Sequence, residues 1–322
     1  MWHYDRGLKL TKADLAIDVR RRQPRGFVSH AHNDHMGRHE LALCTPATGR
    51  LYQHRLGARP VLEMPYREPL EWGGLRLTTY PAGHCLGSAM LLAEDGCQTL
   101  LYSGDFKLGK SLTAEEAELP PADILVVEST FGDPRYRLPP RESVIAEFID
   151  LVRRLLARDC VPVVQAYTLG KAQETTAILT RAGLPVLQHA DVFGVSQVYE
   201  ACGVSLGDFR RYPGYPLPGH VIVVPPHVNR WRPLPGVKRQ VTIALTGWAA
   251  VASSRRWSQA DYALPLSDHA DYDQLFAAIA IVDPKVVFCT HGPASFVDHL
   301  RRAGIDAHPL DGQPLAVHAA GA

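Results

Sequence analysis

Six consecutive residues, His30-Ala31-His32-Asn33-Asp34-His35, constrain this chain more than any other feature. They follow the apolar run 26–29 directly. A strand that stops and turns there can throw alternate side chains, His30 and His32, toward one point. The turn that follows brings Asp34 and His35 toward a second point roughly 3.5 Å away, the usual spacing of a two-metal site. The chain has 15 histidines in 322 residues. Against that background, four ligand-type side chains in this pattern argue for metal and against a polar turn with chance histidines.

Composition narrows the partners. Lys and Arg number 34 against 33 Asp and Glu, a net charge of +1, so any site for a polyanion must be a local patch. No apolar run approaches the ~20 residues that a bilayer requires, and no membrane partner is expected. The stretch MWHYDRGLKLTKADL lacks the apolar core of a secretory signal, which makes the cytoplasm the expected location. Cys44, Cys85, Cys97, Cys160, Cys202 and Cys289 include no CxxC pair. They read as reduced, mostly buried thiols and not as a disulfide frame or thiolate zinc site.

The pattern along the chain is α/β. Short apolar runs at Leu75–Tyr80, Ala89–Ala93, Thr99–Ser103 and Ile124–Glu128 predict strands. The turn-rich FGDPRYRLPP marks a boundary. Beyond it, helical spacing over Glu142–Ala157 leads to a strand at Val161–Gln165, a helix from Lys171, a strand at Pro185–Gln188 and a helix after Asp191. That alternation argues for a parallel sheet. The last third resumes with VTIALTG, a helix over Asp271–Ala280, a strand at Val286–Cys289 and a helix over Ala294–Ala303. The reading is an α/β domain, residues 1–133, interrupted by a smaller α/β domain, 134–260, and completed by 261–322.

Further ligand-type residues stand where strands end. His84 lies in the glycine-flanked loop PAGHCLGS after one strand, Asp105 follows another in SGDF, and His291 closes a third in CTHG. A carboxylate can bridge two cations, which a neutral imidazole cannot. Singly, each would pass for a cap or turn residue; their recurrence after the histidine cluster singles them out.

HAHNDH with His84, Asp105 and His291 resembles the metallo-β-lactamase fold, an αββα sandwich. Glu128-Ser129-Thr130-Phe131-Gly132 resembles the acidic motif A of its β-CASP nuclease branch. Ser267-Asp268-His269-Ala270-Asp271 resembles motif B, and His291 in THG motif C. YTLGKAQE, with Lys171 where many relatives carry Arg, resembles the signature of the inserted β-CASP domain. The overall similarity leans toward the bacterial DNA ligase-associated exonuclease group.

The resemblance implies a zinc-dependent phosphodiesterase with two Zn2+, manganese being able to replace them. His30, His32 and His84 would hold one ion, and Asp34, His35 and His291 the other, with Asp105 bridging. Asp18 would sit behind the metals and bond a ligand histidine. Asp34, Asp105, Glu128 and His269 form the expected catalytic set, His269 protonating the leaving oxygen and Glu128 fixing its tautomer. Without the resemblance, Glu128 reads as a solvated strand-end charge and His269 as a helix-start residue. The expected substrate is nucleic acid, DNA ahead of RNA, with DNA ligase or other repair proteins as partners. An RNA-processing β-CASP ribonuclease is the alternative, and a small-molecule metallo-hydrolase a remoter one.

Expected substrate contacts are Ser129, Lys171, Arg230 and Arg255. Gly170-Lys171 opens a helix, which suits a phosphate or a solvated helix start equally. Arg230-Trp231-Arg232 and Arg255-Arg256-Trp257 mix cations with stacking rings. Arg20, Arg21, Arg22 and Arg25 form a basic run that is either substrate contact or solvated face. Gly247-Trp248 reads as packing more than base stacking.

Overall fold

The computed structural model describes residues 1–228, 234, 236–251 and 260–310. Arg230, Arg255 and the C-terminal segment after Pro314 lie outside the described residues. Among the described residues the strands form three sheets.

The first sheet holds β1 (Trp2–Tyr4), β2 (Leu8–Leu10), β3 (Leu15–Ile17), β4 (Arg25–Phe27), β5 (Leu41–Cys44) and β6 (Val61–Glu63), side by side in chain order. Helix α1 (Pro46–Leu56) joins β5 to β6. Apolar periodicity predicts no helix there, because the apolar positions are few. Its start is instead fixed locally: Thr45 Oγ1 accepts from Thr48 N, and Pro46 opens the first turn, where a missing N–H costs nothing. The strand before the histidine cluster ends at Phe27, short of the expected Ser29.

The second sheet begins with β7 (Leu70–Trp72), β8 (Leu75–Pro81), β9 (Ala89–Glu94), β10 (Thr99–Tyr102) and β11 (Ile124–Glu128). The chain then leaves it. Helix α2 (Arg141–Leu156), β12 (Val161–Gln165), α3 (Lys171–Arg181), β13 (Val186–Gln188), α4 (Ala190–Ala201), β14 (Phe209–Arg211), β15 (Val221–Val224), β16 (Gln240–Leu245) and β17 (Tyr262–Leu264) follow. Their strands form the third sheet, in the order β14-β13-β15-β12-β16-β17. Every pairing in it is parallel.

After β17 the chain returns through α5 (Tyr272–Val282), β18 (Val286–Thr290), α6 (Ser295–Arg302) and β19 (Ala307–Pro309). Strand β18 pairs with β11 in parallel, in the register Ile124↔Val286 to Glu128↔Thr290. That pairing sets Glu128 opposite the residue before His291.

Alternation of apolar residues decides the packing. Leu10, Phe27 and Leu43 of the first sheet bury against Leu77, Leu91, Leu100 and Val126 of the second. The opposite face of the second sheet, with Leu101, Leu125 and Val287, packs on Leu275, Ile279, Phe296 and Leu300 of α5 and α6. Val28, Ala42 and Cys44, on the other side of the first sheet, meet Leu51 and Tyr52 of α1 and Val195 and Tyr199 of α4. In the third sheet, Val164 joins a core with α2 and α3 while neighbouring Val163 faces another. Each buried Leu, Ile, Val or Phe among these contributes on the order of 1.5–3 kcal/mol by leaving water.

All six cysteines are free, but only Cys44, Cys85 and Cys289 are buried; Cys160 and Cys202 are partly exposed and Cys97 is exposed. The expectation of mostly buried thiols therefore holds for half of them. No described helix is long and apolar enough to cross a membrane.

Candidate metal centre and catalytic cleft

The connections at one end of the stacked sheets carry the histidine cluster and its companions. Residues 28–35 leave β4, 82–88 join β8 to β9, 103–107 follow β10, and His291 follows β18. The cluster is pinned at its root by Asp18, whose carboxylate accepts from Ser29 N at 2.8 Å, Ser29 Oγ at 2.5 Å, Tyr102 Oη at 2.9 Å and His35 Nδ1 at 2.8 Å.

Four histidines are each held through one ring nitrogen, so that the other turns inward. His30 Nδ1 donates to Ser29 Oγ at 3.0 Å, His32 Nε2 to the Leu169 carbonyl at 3.1 Å, His84 Nδ1 to the Asp268 carbonyl at 2.9 Å, and His35 Nδ1 to Asp18. This is the orienting arrangement that metal-binding imidazoles require. The remaining nitrogens converge: His30 Nε2 and His84 Nε2 stand 2.9 and 3.1 Å from His32 Nδ1. Tetrahedral ligands about 2.0–2.1 Å from one ion would be separated by roughly 3.3 Å, so the donor set fits a cation.

Asp105 stands between two groups. Its Oδ2 is 3.5 Å from His30 Nε2 and 3.9 Å from His84 Nε2 on one side, and 3.3 Å from His35 Nε2 on the other. Four overlapping groups of ligand-type side chains converge among the described residues: His30, His32, His84 and Asp105; His35, Asp105 and His291; Asp18, His30 and His35; and Asp105, Glu128 and His269. The first two form the candidate cation sites that share Asp105. Asp34 is at the rim, its carboxylate 72% exposed and 3.8 Å from His35 Nε2. The ligand atoms of the two groups come from loops far apart in sequence.

Protonation fits the same assignment. Burial, reinforced by His35, holds His30 well below the usual imidazole range. Burial and the neighbouring His269 bring His84 down to about 3. Both therefore present lone pairs at neutral pH. At His35 burial acts in the same direction, but Asp105 and Asp18 outweigh it and raise the ring well above its usual value. The negative potential that favours a proton there would equally favour a cation.

Backbone geometry supports the placement. Asp18 and His291 both adopt left-handed conformations, φ 48° and 55°, which non-glycine residues rarely take outside sites that need them. Gly292 must be glycine: a Cβ would lie 2.0 Å from the Ser129 carbonyl oxygen. Gly83 has φ +78° and a Cβ there would lie 2.3 Å from the Lys107 carbonyl, so the turn that presents His84 also excludes a side chain.

Glu128 and His269 meet beside the metal cluster. Glu128 is buried, and its carboxylate accepts from His269 Nδ1 at 2.8 Å, Phe106 N at 3.1 Å and Thr130 N at 3.1 Å. Burial lowers His269, yet Glu128 and Asp105 together carry it up to about 9. The ring lies 4.7 Å, centroid to centroid, from that of His84. Its loop ends where Asp271 caps α5, Asp271 Oδ1 accepting from Gln274 N and Gln274 Oε1 from Asp271 N.

All of these groups line a cleft of about 750 Å³ or stand directly behind it. Thr130, Phe131, Tyr167 and Trp248 are also on its walls. The Trp248 ring packs on Phe131 and Tyr136, with centroids at 4.8 and 5.2 Å, and is 41% exposed.

Of the expected substrate contacts, Ser129 and Lys171 lie among the described residues. Ser129 is buried behind the cleft, its Oγ donating to the Thr290 carbonyl at 3.0 Å. Lys171 lines the cleft but is buried, with Nζ 2.5 Å from Asp268 Oδ1. Its charge is thus already met by a carboxylate, and the helix-start motif alone gave no sign of that partner. The Leu169 and Asp268 carbonyls that orient His32 and His84 have no signature in the sequence. Any residue has a carbonyl, so no side-chain pattern could reveal them.

The Lys171–Asp268 pair belongs to a buried charge cluster with Lys107, Arg141 and Glu174. Removing one member of such a pair leaves an uncompensated buried charge, at a cost of roughly 3–5 kcal/mol. Lys171→Met is expected to lose about that much in urea unfolding of chelator-treated protein, and Lys171→Met with Asp268→Asn to lose clearly less. Equal stability of wild type and Lys171→Met would contradict the pairing.

No family model matches the chain. A protein named Probable DNA ligase from Opitutus terrae is 37% identical over 312 residues, covering 94% of this chain and 30% of that protein. Cleavage and polyadenylation specificity factor subunit 3 of Dictyostelium discoideum is 32% identical over 151 residues, 46% of this chain and 19% of its own length. Transcription termination factor FttA of Methanococcus maripaludis is 29% identical over 158 residues, 46% of this chain and 24% of that one. The chain thus spans less than a third of the length of these relatives. The crystal structure of a protein of unknown function from Enterococcus faecalis V583 matches with a TM-score of 0.59 at 14% identity, covering 90% of this chain and 80% of that one, a likeness of fold alone.

Proposed function

Because this chain belongs to the β-CASP branch of the metallo-β-lactamase family, we propose that it is a metal-dependent phosphodiesterase that cuts nucleic acid. The observation that carries the reading is the Asp105 carboxylate, placed between two histidine groups and within reach of the Glu128–His269 pair. The stacked first and second sheets with their outer helices are read as the αββα sandwich, formed by 1–133 and the chain after β17, and the third sheet with its helices as the inserted β-CASP domain. The boundary expected at 260/261 falls before β17, which pairs with β16 in the third sheet, so the insert is read as running to Leu264. His30, His32, His84 and Asp105 would hold one Zn2+, and His35, His291, Asp34 and Asp105 the second. When bound, two such ions activate water as a nucleophile near neutral pH and offset the charge gathering on the phosphate.

The chain's own residues supply the proton chemistry. Glu128 takes up His269 Nδ1–H, which leaves Nε2 as the atom that can hand a proton to the departing oxygen. The two backbone N–H groups on Glu128 hold the carboxylate in place, and its negative charge keeps His269 protonated at neutral pH. Asp18 fixes His35 in the tautomer whose Nε2 faces Asp105.

DNA is the favoured substrate, in an exonuclease of ligase-associated repair acting in the cytoplasm. What supports DNA is the match to the protein named Probable DNA ligase, which runs over 94% of this chain. A ribonuclease is the second reading. It is favoured by relatives named Endoribonuclease YSH1, one of which, from Mycosarcoma maydis, is 33% identical over 134 residues, 40% of this chain and 15% of its own length. The test is digestion of end-labelled DNA and RNA, single and double stranded, by protein stripped with chelator and then restored with zinc or manganese. Restored cleavage of DNA is the expected result; cleavage of RNA alone would select the second reading. Cleavage unaffected by chelation would exclude the metal mechanism.

A further inference from the structure

A second recess, about 700 Å³, lies beside the metal cleft, and its walls are cationic. Arg20 and Arg22 come from the segment after β3, Arg38 from the segment after the HAHNDH turn, and Arg59 from the loop after α1. Among the described residues no carboxylate lines the recess, although Lys and Arg outnumber Asp and Glu by only 34 to 33 in the whole chain. Arg22 reaches Glu40 at 3.3 Å, both side chains being more than half exposed. Arg20, Arg38 and Arg59 form no ion pair among the described residues. Four guanidinium groups around one hollow repel one another, and an anion from outside would relieve that repulsion.

Position says which anion. Asn33 lines both this recess and the metal cleft, so the turn that carries the candidate ligands borders both hollows. Arg55 on α1 lines the cleft side of this turn and donates to the Ala31 carbonyl. Guanidinium forks match paired phosphate oxygens.

We propose that the arginine recess holds the sugar–phosphate backbone of the polynucleotide strand next to the scissile bond. This rests on the nuclease reading above and adds a location for the strand. The phosphodiester backbone is common to DNA and RNA, and contacts of this kind carry no base preference.

The test compares wild type with the triple variant Arg20→Gln, Arg38→Gln, Arg59→Gln, matched by thermal unfolding midpoint. Fluorescence anisotropy is measured with cleavage-resistant phosphorothioate DNA and 2′-O-methyl RNA single strands across a salt series. The variant is expected to bind ~10-fold more weakly or worse. Its salt slope should fall by about 2, at ~0.7 for each lost phosphate contact on a single strand. Weakening with only one of the two strands supports the recess and identifies its strand. Unchanged affinity and slope overturn the proposal, whether or not the protein cuts. Weakened binding by a protein whose wild type cuts neither strand keeps the recess and discards the nuclease reading. A wild type that binds neither strand overturns both.

Discussion

An Asp105→Ala variant is expected to lose essentially all of the proposed phosphodiesterase activity, by roughly 10³-fold or more, and to bind fewer than the two metal ions per chain proposed for the wild type. Asp105 Oδ2 lies within 4 Å of the His30, His35 and His84 ring nitrogens together. Without it neither group keeps its carboxylate, and the second is left with imidazoles and the exposed Asp34. Two cations share the transition-state charge of a displacement at phosphorus, and losing several kcal/mol of that stabilisation gives the stated factor. Elemental analysis after gel filtration, beside a digest of labelled DNA, reads both quantities. Two metals per chain in the variant, or equal cleavage, would remove Asp105 from its assigned place.

His269→Ala separates chemistry from metal binding. This ring is bonded to Glu128 and stands against His84, yet it is not needed to complete either of the two main donor groups. Metal content is expected to stay at the wild-type value while turnover falls by ~10²–10⁴-fold, the usual contribution of a positioned general acid. Substrate affinity should change little by comparison. Glu128→Gln should fall in the same direction, because an amide no longer holds the proton on His269. Loss of metal from His269→Ala would show that the ring is a ligand.

Much of this centre is legible in the sequence because the chemistry of metals restricts residue type and local spacing. HAHNDH needs only a strand end and one turn to bring its side chains together, and both are short-range. The runs that form β8 to β11 and the helices α2, α3, α5 and α6 are likewise visible in apolar periodicity. Helix α1 and the short strands β1, β2, β5 and β6 are not, since too few residues show a period and their edges are settled by pairing.

By itself, then, the sequence determined which donor atoms are available and that several of them are delivered at strand ends. Only the tertiary structure decided that they meet. His291 reaches the site because β18 pairs in register beside β11 after the chain has built an entire third sheet. Lys171 turns to Asp268, carbonyls of Leu169 and Asp268 orient two imidazoles, and arginines from three segments line one hollow. Each of these is a contact across a long loop, fixed by sheet pairing and burial. Neighbouring residues along the chain carry no imprint of such partners.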